Sequence, residues 1–144
     1  MIGVILSGHG RFAEGMLSSL DMIAGKSEAL EAINFLESES TDDLEKKMLS
    51  VIQDFNTKYD GVLICCDLLG GSPFKTAATL SVKQPKISVV AGINLASCLE
   101  LLFMRLNSTD SSMLADELIA KEANRLLKFV LPATKEVVES EDGI

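Results

Sequence analysis

Apolar residues along this chain fall into two alternating kinds of segment, short continuous runs and longer stretches with helical spacing. Residues 2–6 make the first run, of strand length, and Ser7-Gly8-His9-Gly10 is expected to break it. Over residues 13–24 the apolar positions Met16, Leu17, Leu20 and Ile23 fit one face of a helix, with Gly25 placed to stop it. Residues 31–36 read as a second strand. Ser40 or Thr41 can then cap a helix whose apolar face is Leu44, Met48, Leu49, Ile52 and Phe55. Asp42, Asp43 and Glu45 fall in its first turn, where the helix dipole favours carboxylates.

Residues 61–66 are the clearest buried strand and end at Asp67. Ser72-Pro73 predicts a helix start, a hydroxyl cap followed by proline at the first helical position, for a helix reaching about residue 82. A fourth strand is expected over 86–91, and Asn94 is placed to cap a helix over 95–105. Ser111 or Ser112 caps a further helix ending near 124, and residues 126–131 read as a fifth strand stopped by Pro132. The order β-α-β-α-β-α-β-α-α-β predicts an α/β domain with a flavodoxin-like, mainly parallel sheet of order 2-1-3-4. The fifth strand would add an antiparallel edge. Residues 1–144 are expected to form one domain, with about 133–144 a frayed acidic tail. In this topology the loops after strands one and three diverge and leave a ligand crevice, and those loops hold His9 and Asp67.

Composition narrows the functional classes. A net charge of −8 disfavours nucleic acid and anionic membranes as partners, and no apolar run approaches the length of a membrane span. The N-terminus lacks the basic region of a signal peptide, so a cytoplasmic protein is expected. Cys65 and Cys66 are adjacent on a strand and point to opposite faces, and Cys98 stands apart; all three are read as reduced packing residues. One histidine with no CxxC or HxxE spacing offers no metal site, and no cofactor is expected.

That histidine, His9, carries the candidate chemistry. Gly8 and Gly10 leave its ring unshielded at the end of a strand. A neutral imidazole is a nucleophile when one ring nitrogen holds the proton and the other is free, and a carboxylate can fix that tautomer. Asp67 is placed to do so; read alone, it is a turn or capping aspartate. Gly70-Gly71-Ser72-Pro73 brings backbone amides and a new helix end toward an anion, and Ser72 offers a hydroxyl, although a tight turn with an ordinary cap would look the same. No GxxxxGK[ST] is present, so the expected ligand is one phosphoryl group and not a nucleotide. Arg11 and Lys75 are candidate neighbouring cations. Asn94 is read as a helix cap, and the apolar stretch 99–104 as core or subunit interface.

The segments Gly8-His9-Gly10, Asp67-Leu68-Leu69-Gly70-Gly71-Ser72-Pro73-Phe74 and Gly92-Ile93-Asn94-Leu95 occur in the order and spacing of a known family. From Met1 to about Val130 the chain resembles the IIA component of the mannose/fructose/sorbose class of the bacterial sugar phosphotransferase system. Within the class, DLLGGSPF, AGINLASCLELLFMR and the ending EDGI are most similar to N-acetylgalactosamine or galactosamine systems. The resemblance implies a phosphotransferase subunit in which His9 accepts phosphate from the phosphocarrier protein HPr and passes it to a histidine of the IIB component. IIB then phosphorylates sugar entering through the IIC and IID membrane proteins. It further implies that Asp67 bonds the other nitrogen of the phosphorylated histidine, and that Ser72 lies near the phosphoryl group. Gly70, Gly71 and Ser72 together are the expected phosphate-binding residues. A homodimer is implied as well, with a C-terminal strand matched by residues 126–131 pairing with the partner's sheet. No Ala/Pro-rich linker or fused IIB domain follows, so a free-standing IIA subunit is expected. Alternative readings are a phosphodonor domain for dihydroxyacetone kinase, a phosphorylation-sensing regulatory module, or a flavin-binding protein, the last disfavoured by the absence of Trp and a single Tyr.

Overall fold

The fold follows from where continuous apolar runs can be buried on both faces. In a computed structural model, which describes residues 1–122 and 125–133, the strands are β1 (Ile2–His9), β2 (Leu30–Phe35), β3 (Gly61–Cys66) and β4 (Ile87–Ala91). They form one parallel sheet of order β2-β1-β3-β4. The helices are α1 (Phe12–Ala24), α2 (Thr41–Lys58), α3 (Ser72–Lys83), α4 (Leu95–Met104) and α5 (Ser111–Ile119), with a 3-10 turn over Arg105–Asn107 after α4.

Central β1 and β3 are apolar on both sides because helices cover both faces. On one face Ile2, Val4, Leu6, Leu63 and Cys65 pack with α1, α4 and α5 through Leu20, Leu101 and Leu114. On the other, Ile5, Val62, Ile64 and Cys66 pack with α2 and α3 through Met48, Ile52, Ala77 and Leu80. Cys65 and Cys66 thus lie in opposite cores, and all three cysteines are buried and unpaired. Burial pushes the thiols of Cys66 and Cys98 up to about 12, which makes them packing groups and not nucleophiles.

One buried side chain escaped the sequence reading. Arg105 is 2% exposed, and its guanidinium donates to the Ala29 carbonyl at 2.6 Å and the Glu28 carbonyl at 2.7 Å. It pins the turn into β2, where Ala29 holds a left-handed φ of 55°.

Several expected boundaries move. The break expected at Ser7–Gly10 comes later: β1 runs through His9, which pairs with Phe35, and Gly10 turns the chain at φ 57°. Ser72 is not the cap of α3; the cap position is Gly71, with no side-chain cap bond, so Ser72 is the first helical residue and Pro73 the second. The cap of α5 is Asp110, whose carboxylate accepts from the Ser112 and Met113 amides, in place of Ser111 or Ser112. A carboxylate outcompetes a hydroxyl there because it meets two amides and the helix dipole together. Ser40 and Asn94 do cap α2 and α4, each in a reciprocal capping box.

The expected fifth strand is not formed. Residues 126–131 lie outside any strand, with Leu126, Leu127, Phe129, Val130 and Leu131 all at least 73% exposed. A strand persists only where a neighbour supplies the ladder, and no edge of this chain's own sheet pairs with the segment. The expected end of the last helix near 124 and the acidic tail over 139–144 fall outside the described residues, as do residues 134–138.

Candidate functional site

The site is built by strand order. Because β1 lies between β2 and β3, the last residue of β1 emerges between the loops that follow its two neighbours. Ser7 pairs with Cys66, and the Asp67 amide donates to the Ser7 carbonyl at 3.1 Å, so Asp67 comes level with His9. Its Oδ2 accepts two bonds from one residue, from the His9 amide at 2.9 Å and from ring Nδ1 at 2.8 Å. An ionised carboxylate can only accept, so the proton must sit on Nδ1, leaving the lone pair on Nε2. The His9 side chain is 47% exposed and that of Asp67 15%.

Two glycines make room for this pair. A Cβ on Gly8 would lie 2.6 Å from the Phe12 ring and 3.0 Å from the Asp67 carboxylate. A Cβ on Gly71 would lie 2.6 Å from His9 Cε1 and 3.3 Å from Nε2. Gly71 has φ −70°, open to any residue, so glycine is needed there for space alone. Its amide is taken by the Leu68 carbonyl at 3.3 Å. Gly70, at φ 80°, supplies the left-handed turn that brings Gly71 against the ring.

Ser72 follows at the first turn of α3, whose N-terminus has no capping side chain. The N-terminus of α1, just after Gly10 and Arg11, has none from its own cap residue either, while Ser40, Asn94 and Asp110 cap the other three helices. Of the two helix ends flanking His9, that of α3 has no capping side chain, whereas the Asn34 side chain meets the first turn of α1. Arg11, expected as a nearby cation, pairs with Glu14 at 2.7 Å, and Asn34 both donates to the Glu14 carboxylate and accepts from its amide. The bonds from Arg11 and Asn34 hold the Glu14 carboxyl below its usual range. Lys75 is exposed on α3.

Sequence reasoning missed Asn34 and Phe35, whose ring meets His9 edge-on at 6.2 Å between centroids. For Phe35 and Asn34 no signal existed, since they reach the site only through the pairing of β2 with β1.

Partial burial pushes the Asp67 carboxyl up, but the bonds from the His9 amide and ring, with help from the Leu68 amide, outweigh it and hold it below its ordinary 3.8. A folded-state value below the unfolded one means that the stability from this group is complete above the unfolded pKa. It is lost as pH falls through the folded value. A carbon-detected NMR titration should give an Asp67 midpoint below 3.8, shifted upward in His9→Ala. A wild-type midpoint at or above 3.8 would contradict the bonding described.

This geometry can be set beside known proteins. The family model described as the PTS system fructose IIA component matches residues 3–120. The fructose-specific EIIA component of Bacillus subtilis is 34% identical over 105 residues, covering 73% of this chain and 71% of that protein. The mannose-specific EIIAB component of Escherichia coli K12 is 32% identical over 119 residues, covering 83% of this chain, which spans only 35% of that longer protein. A crystal structure of the phosphotransferase system component EIIA from Streptococcus agalactiae superposes with a TM-score of 0.78 at 33% identity, covering 86% of this chain and 92% of the other. The chain belongs to the mannose/fructose/sorbose class of EIIA components of the phosphotransferase system.

Proposed function

We propose that this chain is a cytoplasmic phosphoryl carrier that accepts a phosphoryl group from HPr on Nε2 of His9 and passes it to a histidine of a IIB component. The observation that carries this reading is the Nδ1–Asp67 bond, which leaves Nε2 unprotonated on a half-exposed ring. Family membership supports the same chemistry.

In the forward step the Nε2 lone pair attacks phosphorus, a P–N bond to His9 forms, and the P–N bond to the donor histidine breaks. The donor imidazole leaves with that electron pair. The ring of His9 then carries positive charge shared with Nδ1–H, and the Asp67 carboxylate balances it without needing to take the proton. Oxygens of the transferred group meet the uncapped start of α3, where the backbone of Gly70 and Gly71 and the Ser72 hydroxyl supply the surroundings. Transfer to IIB reverses these roles. IIB would then phosphorylate sugar arriving through IIC and IID. The stretches DLLGGSPF, AGINLASCLELLFMR and EDGI support an amino sugar such as N-acetylgalactosamine as the substrate of that system.

The exposed apolar segment 126–131 and the outer edge of β4, unpaired among the described residues, support a homodimer in which each copy's segment joins the partner's sheet. Sedimentation should find a dimer for the full chain and a monomer after removal of residues 126–144. A monomeric full chain would overturn this arrangement.

The carrier reading is tested by incubation with phosphorylated HPr. Wild type should acquire an acid-labile, base-stable label and His9→Ala none. Asp67→Asn should fold but transfer markedly more slowly, up to about 10⁴-fold, the scale for losing the carboxylate that fixes a working histidine's tautomer. Label on His9→Ala, or none on wild type, would overturn the reading.

A further inference from the structure

Helices α2 and α3 pack together on one face of the sheet, and between them opens a cavity of about 240 Å³ lined by Thr41, Glu45, Ser72, Lys75, Thr76 and Thr79. By their spacing Ser72, Lys75, Thr76 and Thr79 share one face of α3. Thr79 donates its hydroxyl to the Lys75 carbonyl at 2.9 Å. The hydroxyls of Thr41, Ser72 and Thr76, the Lys75 ammonium and the Glu45 carboxylate enter no hydrogen bond or ion pair among the described residues.

Thr76 separates this place from an ordinary solvated groove. It is 9% exposed, and a hydroxyl so buried normally has a partner. A helical threonine can turn back to the carbonyl four residues earlier, as Thr79 does, but Thr76 does not. Its oxygen is not sealed in the core, so it opens on the cavity that the residue lines.

The charged groups narrow the ligand. Lys75 and Glu45 border one space from facing helices without pairing, so a molecule between them must accept from the ammonium and donate to the carboxylate. Beside Lys75, the start of α3 has no capping side chain and carries the Ser72 hydroxyl, which suits an anionic group. Glu45 and Thr41, on α2, suit the hydroxyls of a polyol. The volume lies below the range of about 300–1,000 Å³ for drug-sized ligands, and no aromatic ring lines it, which disfavours a nucleotide and suits a monosaccharide.

We infer that this cavity binds a monosaccharide phosphate, with its phosphate at Ser72, Lys75 and the α3 N-terminus and its hydroxyls on Glu45, Thr41 and Thr76. The consequence for function rests on the carrier reading and deepens it. Ser72 borders both the cavity and the place of the arriving phosphoryl group, so a bound sugar phosphate competes with phosphorylation of His9. The carrier would then be held back by the class of product that its own system makes.

The test titrates the unphosphorylated full chain, labelled with nitrogen-15, with mannose 6-phosphate, galactosamine 6-phosphate, mannose and inorganic phosphate. A sugar phosphate should shift amides over 41–45 and 72–79 and bind at least about tenfold more tightly than inorganic phosphate, while mannose does not saturate. Thr76→Val keeps the side chain's shape and removes an unbonded hydroxyl, so it should fold as wild type and weaken binding about fivefold. Lys75→Met should weaken it about tenfold or more. With phosphorylated HPr as donor, the sugar phosphate should raise KM in wild type and raise it less in Thr76→Val. Sugar phosphates that bind no more tightly than inorganic phosphate would overturn the inference, as would affinity unchanged in both variants. Saturable binding with no effect on labelling of His9 would overturn the competition. Wild type that binds the sugar phosphate yet takes no label from phosphorylated HPr would remove the carrier reading and leave the binding site standing.

Discussion

Everything at the functional end of this protein depends on one oxygen atom, Oδ2 of Asp67, accepting from both the amide and the ring of His9. The two residues are 58 apart in sequence and meet only because β1 and β3 are adjacent, parallel and in the register that pairs Ser7 with Cys66. That register is fixed by burial. Shifting either strand by one residue would turn both apolar faces over, because alternate residues of β1 and β3 belong to different cores. The tautomer of a single imidazole is thus set by the packing of two hydrophobic layers.

Space and charge are arranged around that bond. Gly8 and Gly71 contribute by having no side chain, one against the carboxylate and one against the ring. The helix α3, which starts beside His9, lacks a capping side chain, while α2, α4 and α5 are capped by Ser40, Asn94 and Asp110. The start of α3, with no capping side chain, suits an anion that comes and goes. The Arg11–Glu14–Asn34 cluster braces the start of α1 against the end of β2, beside the ring.

Much of this was legible in the sequence because it rests on local signals. Continuous apolar runs marked the four strands, and the βα alternation gave their order. The same order put His9 and Asp67 at one edge. Legibility failed where the deciding contact was distant or absent. Ser72 reads as a cap from its type and its following proline, yet the tight turn through Gly70 shifts the helix start by one residue. Arg105 looks like a surface residue until the carbonyls of Glu28 and Ala29, more than seventy residues away, are brought to it. Residues 126–131 have strand composition but find no ladder within one chain. Leu68 and Leu69, apolar in type, are exposed by the turn that serves His9.

The bond from Asp67 leaves one nitrogen of His9 to react in the proposed carrier function. Nitrogen-15 NMR of histidine-labelled protein after phosphorylation resolves the two ring positions directly. The proposed carrier function predicts phosphorus on Nε2 and a proton on Nδ1 still bonded to Asp67. Phosphorus on Nδ1 would contradict the account, because that nitrogen would have to abandon the carboxylate on which the site is built.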